Sequence, residues 1–218
     1  MSVLVLGVRA LQTYPTPFPR EGATKVLEND RVAVWMIQWT KGRPTPVHEH
    51  RLDVVAVAVD PTETRATAPD GSSTPVRSWR PGDVFFQPAG VIHREESLGD
   101  GGRLVAIELK PGRGPGTRVP SDLPRAFPRD DAKLVQENAQ LAVWDVRWTL
   151  GRAVPAHTHD RDVVSVTIEP GVLKFTAPDG QERVAPQDVG AVVYVPRGNS
   201  HREESVDRSP RAIIIELK

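Results

Sequence analysis

The chain has 218 residues, with 28 Lys+Arg against 28 Asp+Glu, 21 Pro, 17 Gly, six His and no Cys. A balanced charge without a basic run excludes the electrostatic footprint of nucleic-acid or anionic-membrane binding, and no stretch reaches the roughly 20 apolar residues of a membrane span. The missing cysteine excludes disulfides, thiolate catalysis and Cys-held zinc or iron–sulfur groups, which leaves imidazole and carboxylate side chains to hold any metal.

In chain order, residues 2–8 read as a short β-strand. They lack the basic lead and long apolar core of a signal peptide, so a cytoplasmic protein is expected. Phe18-Pro19-Arg20 follows, then the apolar run 32–39 with Trp35 and Trp39. Gly42 precedes His48-Glu49-His50 by five residues, and residues 53–59 form a second apolar run. Ala68-Pro69-Asp70-Gly71 is a hairpin signal. Gly82 leads through the run 84–87 to Pro88-Ala89-Gly90, His93-Arg94-Glu95-Glu96-Ser97 and Ile107-Glu108-Leu109-Lys110. The runs are short, β-branched and bounded by turn residues, and none carries a long 3.6-residue period, so all are predicted strands.

The same order then repeats. Phe127-Pro128-Arg129, Trp144, Trp148 and Ala177-Pro178-Asp179-Gly180 stand 109 residues beyond their counterparts. After a one-residue deletion, His201-Arg202-Glu203-Glu204-Ser205 and Ile215-Glu216-Leu217-Lys218 stand 108 beyond theirs. A Pro/Gly-rich stretch at 111–117 marks a linker. A period of about 110 exceeds the roughly 20–50 residues of solenoid units and indicates a duplicated domain. The expected division is an N-terminal unit at 1–112, a linker at 113–126 and a C-terminal unit at 127–218, both all-β.

All six histidines fall into two matching sets, His48, His50 and His93, and His157, His159 and His201. Residues two apart on a strand share a face, so each His-x-His presents two imidazoles side by side. The third follows a tight Pro-x-Gly turn that can set it against that pair. Three neutral imidazoles on one side of a cation, with positions left open, suit Fe, Mn, Ni, Cu or Zn, one per unit at most.

These residues resemble the cupin superfamily, whose motifs are a glycine followed by His-x-His and, later, Gly, five residues, Pro-x-Gly, two residues, His. The resemblance extends from about residue 15 to residue 218. It implies a bicupin of two tandem jelly-roll β-barrels with metal held by the histidines. Cupins of this pattern usually add a Glu three or four residues past the second His. Here Asp53 and Asp162 stand there, at an odd offset that turns a side chain to the opposite face of a regular strand. Glu95 and Glu203, two residues past the third His, share its face and are the candidates for ligand, ligand support or general base.

Arg43 and Arg152, beside the motif glycines, are candidates for a substrate carboxylate or plain turn arginines. The four paired Trp are expected in the core or the domain interface, the other reading being aromatic stacking on a bound substrate. Leu52/Arg161, Phe86/Tyr194 and Val91-Ile92/Asn199-Ser200 differ between the copies, which predicts a more apolar first pocket and a more polar second. The expected function is a metal-dependent enzyme on a small organic molecule, a three-histidine iron dioxygenase type being favoured over isomerase chemistry. The other reading is a non-catalytic, metal-stabilised ligand-binding or sensing bicupin. A small-molecule ligand and an optional homodimer are the expected partners.

Overall fold

The computed structural model describes residues 13–111 and 121–218. The predicted strand at 2–8 and most of the linker lie outside them. Every element of the described residues is a β-strand or a loop. The first unit holds β1 (Ala23–Glu28), β2 (Val32–Gln38), β3 (His48–Glu49), β4 (Asp53–Ala58), β5 (Thr62–Thr67), β6 (Arg77–Trp79), β7 (Val84–Gln87), β8 (Ile92–Ser97) and β9 (Arg103–Leu109). The second holds β10 (Ala132–Glu137), β11 (Leu141–Arg147), β12 (Ala153–Thr158), β13 (Asp162–Glu169), β14 (Gly171–Thr176), β15 (Glu182–Gln187), β16 (Val192–Val195), β17 (Ser200–Asp207) and β18 (Arg211–Leu217).

The topology repeats strand for strand. Sheet order β1-β2-β9-β4-β7 in the first unit matches β10-β11-β18-β13-β16 in the second, and β3-β8-β5-β6 matches β12-β17-β14-β15. Each unit is a jelly-roll barrel of one five-stranded and one four-stranded antiparallel sheet.

The five-stranded sheets are buried on both faces. Ile37, Trp39, Val54, Ala58, Leu104 and Ala106 fill the interior of the first barrel, and Phe127, Val146, Trp148, Val163 and Ile214 that of the second. The intervening residues, among them Val32, Val34, Val55, Val57, Val105 and Ile107, meet Leu141, Val143, Val164, Val166, Ile213 and Ile215 in one core shared by both units. Strands covered on two sides carry nearly continuous apolar runs, which is why 53–59 shows no polar alternation. Phe86 and Tyr194 pack against this shared core, so their difference does not distinguish the barrel interiors.

Polar contacts across the junction follow the duplication. Arg211 Nη1 donates to Pro81 O at 3.1 Å, and its counterpart Arg103 Nη1 donates to Val189 O at 3.4 Å. Gln140 Nε2 donates to Asp53 Oδ2 at 2.6 Å, while Arg31 approaches Asp162 at 3.8 Å. The two halves face each other as the subunits of an isologous dimer would.

Candidate metal centres

In each barrel the first and third histidines are cross-strand partners, His48 opposite His93 and His157 opposite His201. The middle histidine lies beyond the strand end and is fixed by the Pro-x-Gly turn. His50 N donates to Val91 O and Gly90 N donates to His50 O at 2.7 Å; His159, Asn199 and Gly198 repeat the pair. Gly90 and Gly198 have φ of 86° and 83°, where a side chain is strained. Asp53 Oδ1 accepts from Ala89 N at 2.7 Å and Asp162 Oδ1 from Arg197 N at 3.0 Å. The two aspartates therefore brace the turn from outside and stand away from the histidines.

His48 Nδ1 donates to Pro46 O and His157 Nδ1 to Pro155 O, each at 2.9 Å, which leaves the Nε2 lone pairs of these rings for the centre. In the first barrel Nε2 of His50 lies 3.3 Å from that of His48 and 3.0 Å from that of His93. Imidazole nitrogens about 2.1 Å from one cation stand about 3.0–3.4 Å apart, so the spacing fits a shared divalent metal. Burial and the neighbouring rings hold His50 and His159 down at about 3, so both are neutral and able to ligate at neutral pH. His157 Nε2 and His159 Nε2 are buried without a partner among the described residues, as nitrogens awaiting a cation would be.

The carboxylates differ between the copies. Glu203 joins the second group, its Oε1 2.9 Å from His201 Nε2 and 4.0 Å from His157 Nε2. Its other oxygen accepts from Trp148 Nε1 at 2.7 Å and from Arg129 Nη1 at 3.2 Å. Burial alone would raise its pKa, but the His201 hydrogen bond and the Arg129 charge hold it well below the carboxylate range. Glu95 stands outside the group formed by His48, His50 and His93. It lines a cavity of about 50 Å³ with His50, Trp39, Trp79 and Phe85, and burial pushes its pKa up against the charges of Arg20 and His48.

Arg43 forms an exposed ion pair with Glu21, away from the cavity. Arg152 lines an outer groove of about 300 Å³ beside Arg129. Asn199 Oδ1 accepts from His201 Nδ1 at 2.7 Å, a polar support that Val91 cannot give in the first copy. Sequence reasoning missed Arg20, Arg129 and the use of the Trp148 N–H as a donor to the Glu203 carboxylate. The repeated Phe-Pro-Arg was the available signal, because each arginine stacks on the Phe and Trp of its own copy.

No protein-family model matches the chain, and no curated protein matches it in sequence. Solved structures do match in fold. A cupin 2 conserved barrel domain protein from Leptotrichia buccalis is 14% identical over 90% of this chain and 88% of its own, with a TM-score of 0.58. AerE from Microcystis aeruginosa is 13% identical over 94% and 99%, at 0.66. Bacillus subtilis oxalate decarboxylase, a protein with Mn(II) centres, is 15% identical over 96% and 78%, at 0.58. The fold is that of a cupin. It is present twice in one chain, so the molecule is a bicupin in architecture, with a histidine-rich group in each barrel.

Proposed function

We propose that this bicupin is a metal-dependent enzyme acting on a small organic molecule, with the reaction centred on the three-histidine group of the first barrel. The observation that carries this is the convergence of three buried imidazoles beside a cavity lined by Trp79, Phe85, Val54 and Leu104. His48, His50 and His93 would hold one divalent metal, and His157, His159, His201 and Glu203 a second. A bound metal would supply Lewis-acid polarisation of a substrate oxygen, and iron would add redox chemistry with dioxygen, the dioxygenase type being favoured for three neutral ligands.

The protein's own residues divide the remaining work. The apolar wall excludes water and orients the substrate. Glu95 stands at the cavity, where it can take or give a proton. In the second barrel Phe175 lies against His201, with ring centroids 5.4 Å apart, where the first has Ala66. With Glu203 clamped, that barrel supports a second reading, a metal-stabilised structural or ligand-sensing role.

Metal analysis of the wild type and of variants lacking either histidine triad tests the proposal. Absence of metal after reconstitution with Fe, Mn, Ni, Cu and Zn would overturn it. Retained iron directs the next assay to oxygen uptake with small acids, diketones and thiols, where loss of turnover in His50→Ala but not in His159→Ala is expected.

A further inference from the structure

The duplication supplies an internal comparison. In the second barrel the Glu203 carboxylate rests on Trp148 Nε1 and Arg129 Nη1, with its other oxygen toward His201 and His157. Arg129 is also paired with Asp131 at 2.8 Å. The first barrel repeats the tryptophan and the arginine, but its own carboxylate, Glu95, lines the same cavity without a hydrogen bond to either among the described residues. Trp39 is 4% exposed and lines the cavity, yet its buried Nε1 has no partner among the described residues. The Arg20 guanidinium lies over the Trp39 ring at 5.0 Å, as that of Arg129 lies over Trp148 at 5.5 Å, and both arginines keep a buried N–H without a hydrogen bond among the described residues, so the free Trp39 N–H is what sets the first barrel apart. Gly22 takes the place of Asp131, so Arg20 lacks the acidic neighbour that neutralises Arg129. The first site is thus one negative charge poorer than the second.

We infer that Trp39 and Arg20 form the receptor for a carboxylate of the substrate, which the first barrel binds as Trp148 and Arg129 hold Glu203. One carboxylate oxygen would take the Trp39 N–H and the Arg20 charge while the other faces the histidine centre. Ile37, Val54, Phe85 and Leu104 surround most of the remaining space, with Thr64, Gln87 and Glu95 also on its wall, so the ligand class is a small monocarboxylic acid with a largely apolar remainder. A charged hydrogen bond from a buried donor is worth about tenfold or more in affinity, enough to select the acid over its amide. This inference rests on the metal-dependent reading above, since the second oxygen is directed at the metal.

The test is calorimetric titration of the metal-replete full chain with propionate and isobutyrate, with propionamide for comparison and the metal content of each sample measured separately. One acid per chain should bind, and the amide should not. Trp39→Phe preserves the ring packing and should weaken acid binding about tenfold or more. Arg20→Met should weaken it further, and Trp35→Phe, which removes a buried N–H bonded to Glu108, should leave it unchanged. Unfolding midpoints close to wild type for these variants separate lost binding from lost folding. Equal affinity in wild type and Trp39→Phe, or loss on Trp148→Phe with none on Trp39→Phe, would overturn the inference. Failure of metal-replete protein to bind either acid overturns it too and leaves the metal reading standing, whereas failure to load metal defeats that reading on its own.

Discussion

Glu95 and Glu203 hold one position in the repeat and meet different surroundings, so the chemistry of each barrel turns on what lies around a single side chain. Glu203 is 6% exposed and engaged by Trp148, Arg129 and His201. Glu203→Gln should lower metal affinity of the second centre by about 10- to 100-fold. Glu95→Gln should change that of the first far less. Chelator competition with metal analysis measures both, and equal losses would refute the assigned asymmetry. The histidines give the pH dependence its sign. His50 and His159 sit at about 3 when folded and near 6.5 when unfolded. Below about pH 6.5 the unfolded chain takes up protons that the folded chain refuses, so stability falls as pH drops toward 3 and is fully present above neutrality. Melting temperature and retained metal should therefore decline together between pH 7.5 and pH 5. A flat profile for both would contradict the assignment of these rings as buried neutral ligands. The histidines could be read from sequence because a period of two pairs the first two, and the third, although 43 residues beyond His50, follows a Pro-x-Gly turn at a spacing that the chain repeats in its second copy. The repeated Phe-Pro-Arg marked the arginine but not its task, because nothing in the spacing says that Arg129 and Trp148, 74 and 55 residues away, meet on Glu203.

At the scale of elements, the turn before each third histidine decides the site's geometry. Asp53 and Asp162 stand where cupins of this pattern carry a Glu, and the odd offset turns them away from the histidines. What sequence could not show is their task of holding the Pro-x-Gly turn with one oxygen, nor that the other oxygen faces the opposite barrel. The Gly82 turn is tied to that barrel as well. Gly82 has φ of 90°, and a Cβ there would lie 2.6 Å from Arg211 Nη2. Gly180 has φ of 85° and open space around it. Gly180→Ala should cost about 1 kcal/mol for conformation alone. Gly82→Ala should cost more, because Arg211 must also shift from Pro81 and Asp145. Urea unfolding of both variants checks the order, and equal losses would show that the junction contact contributes little.

At the scale of the molecule, two readable barrels prove to share a core. The duplication was plain in the sequence, and so was the all-β class, because both rest on residue order and short β-branched runs. Which sheet faces which was not, since an apolar run covered on both faces carries no alternation to say where each face looks. Ile107 is fully buried in the common core, and Ile107→Ala should cost about 2–5 kcal/mol. Because that core belongs to both units, calorimetry should record one unfolding transition in wild type and variant, the variant's at lower temperature. Two separate transitions would show that the barrels melt independently.

The common core also gives the protein a single thermometer. Anything bound only by the folded state raises the unfolding free energy by an amount set by its concentration relative to Kd, about 2.7 kcal/mol at a hundredfold excess. When both halves melt as one, metal or acid captured in either barrel lifts the same transition, so the second barrel's clamped centre steadies the first without touching its ligand. Occupancy of one site is then insurance for the other.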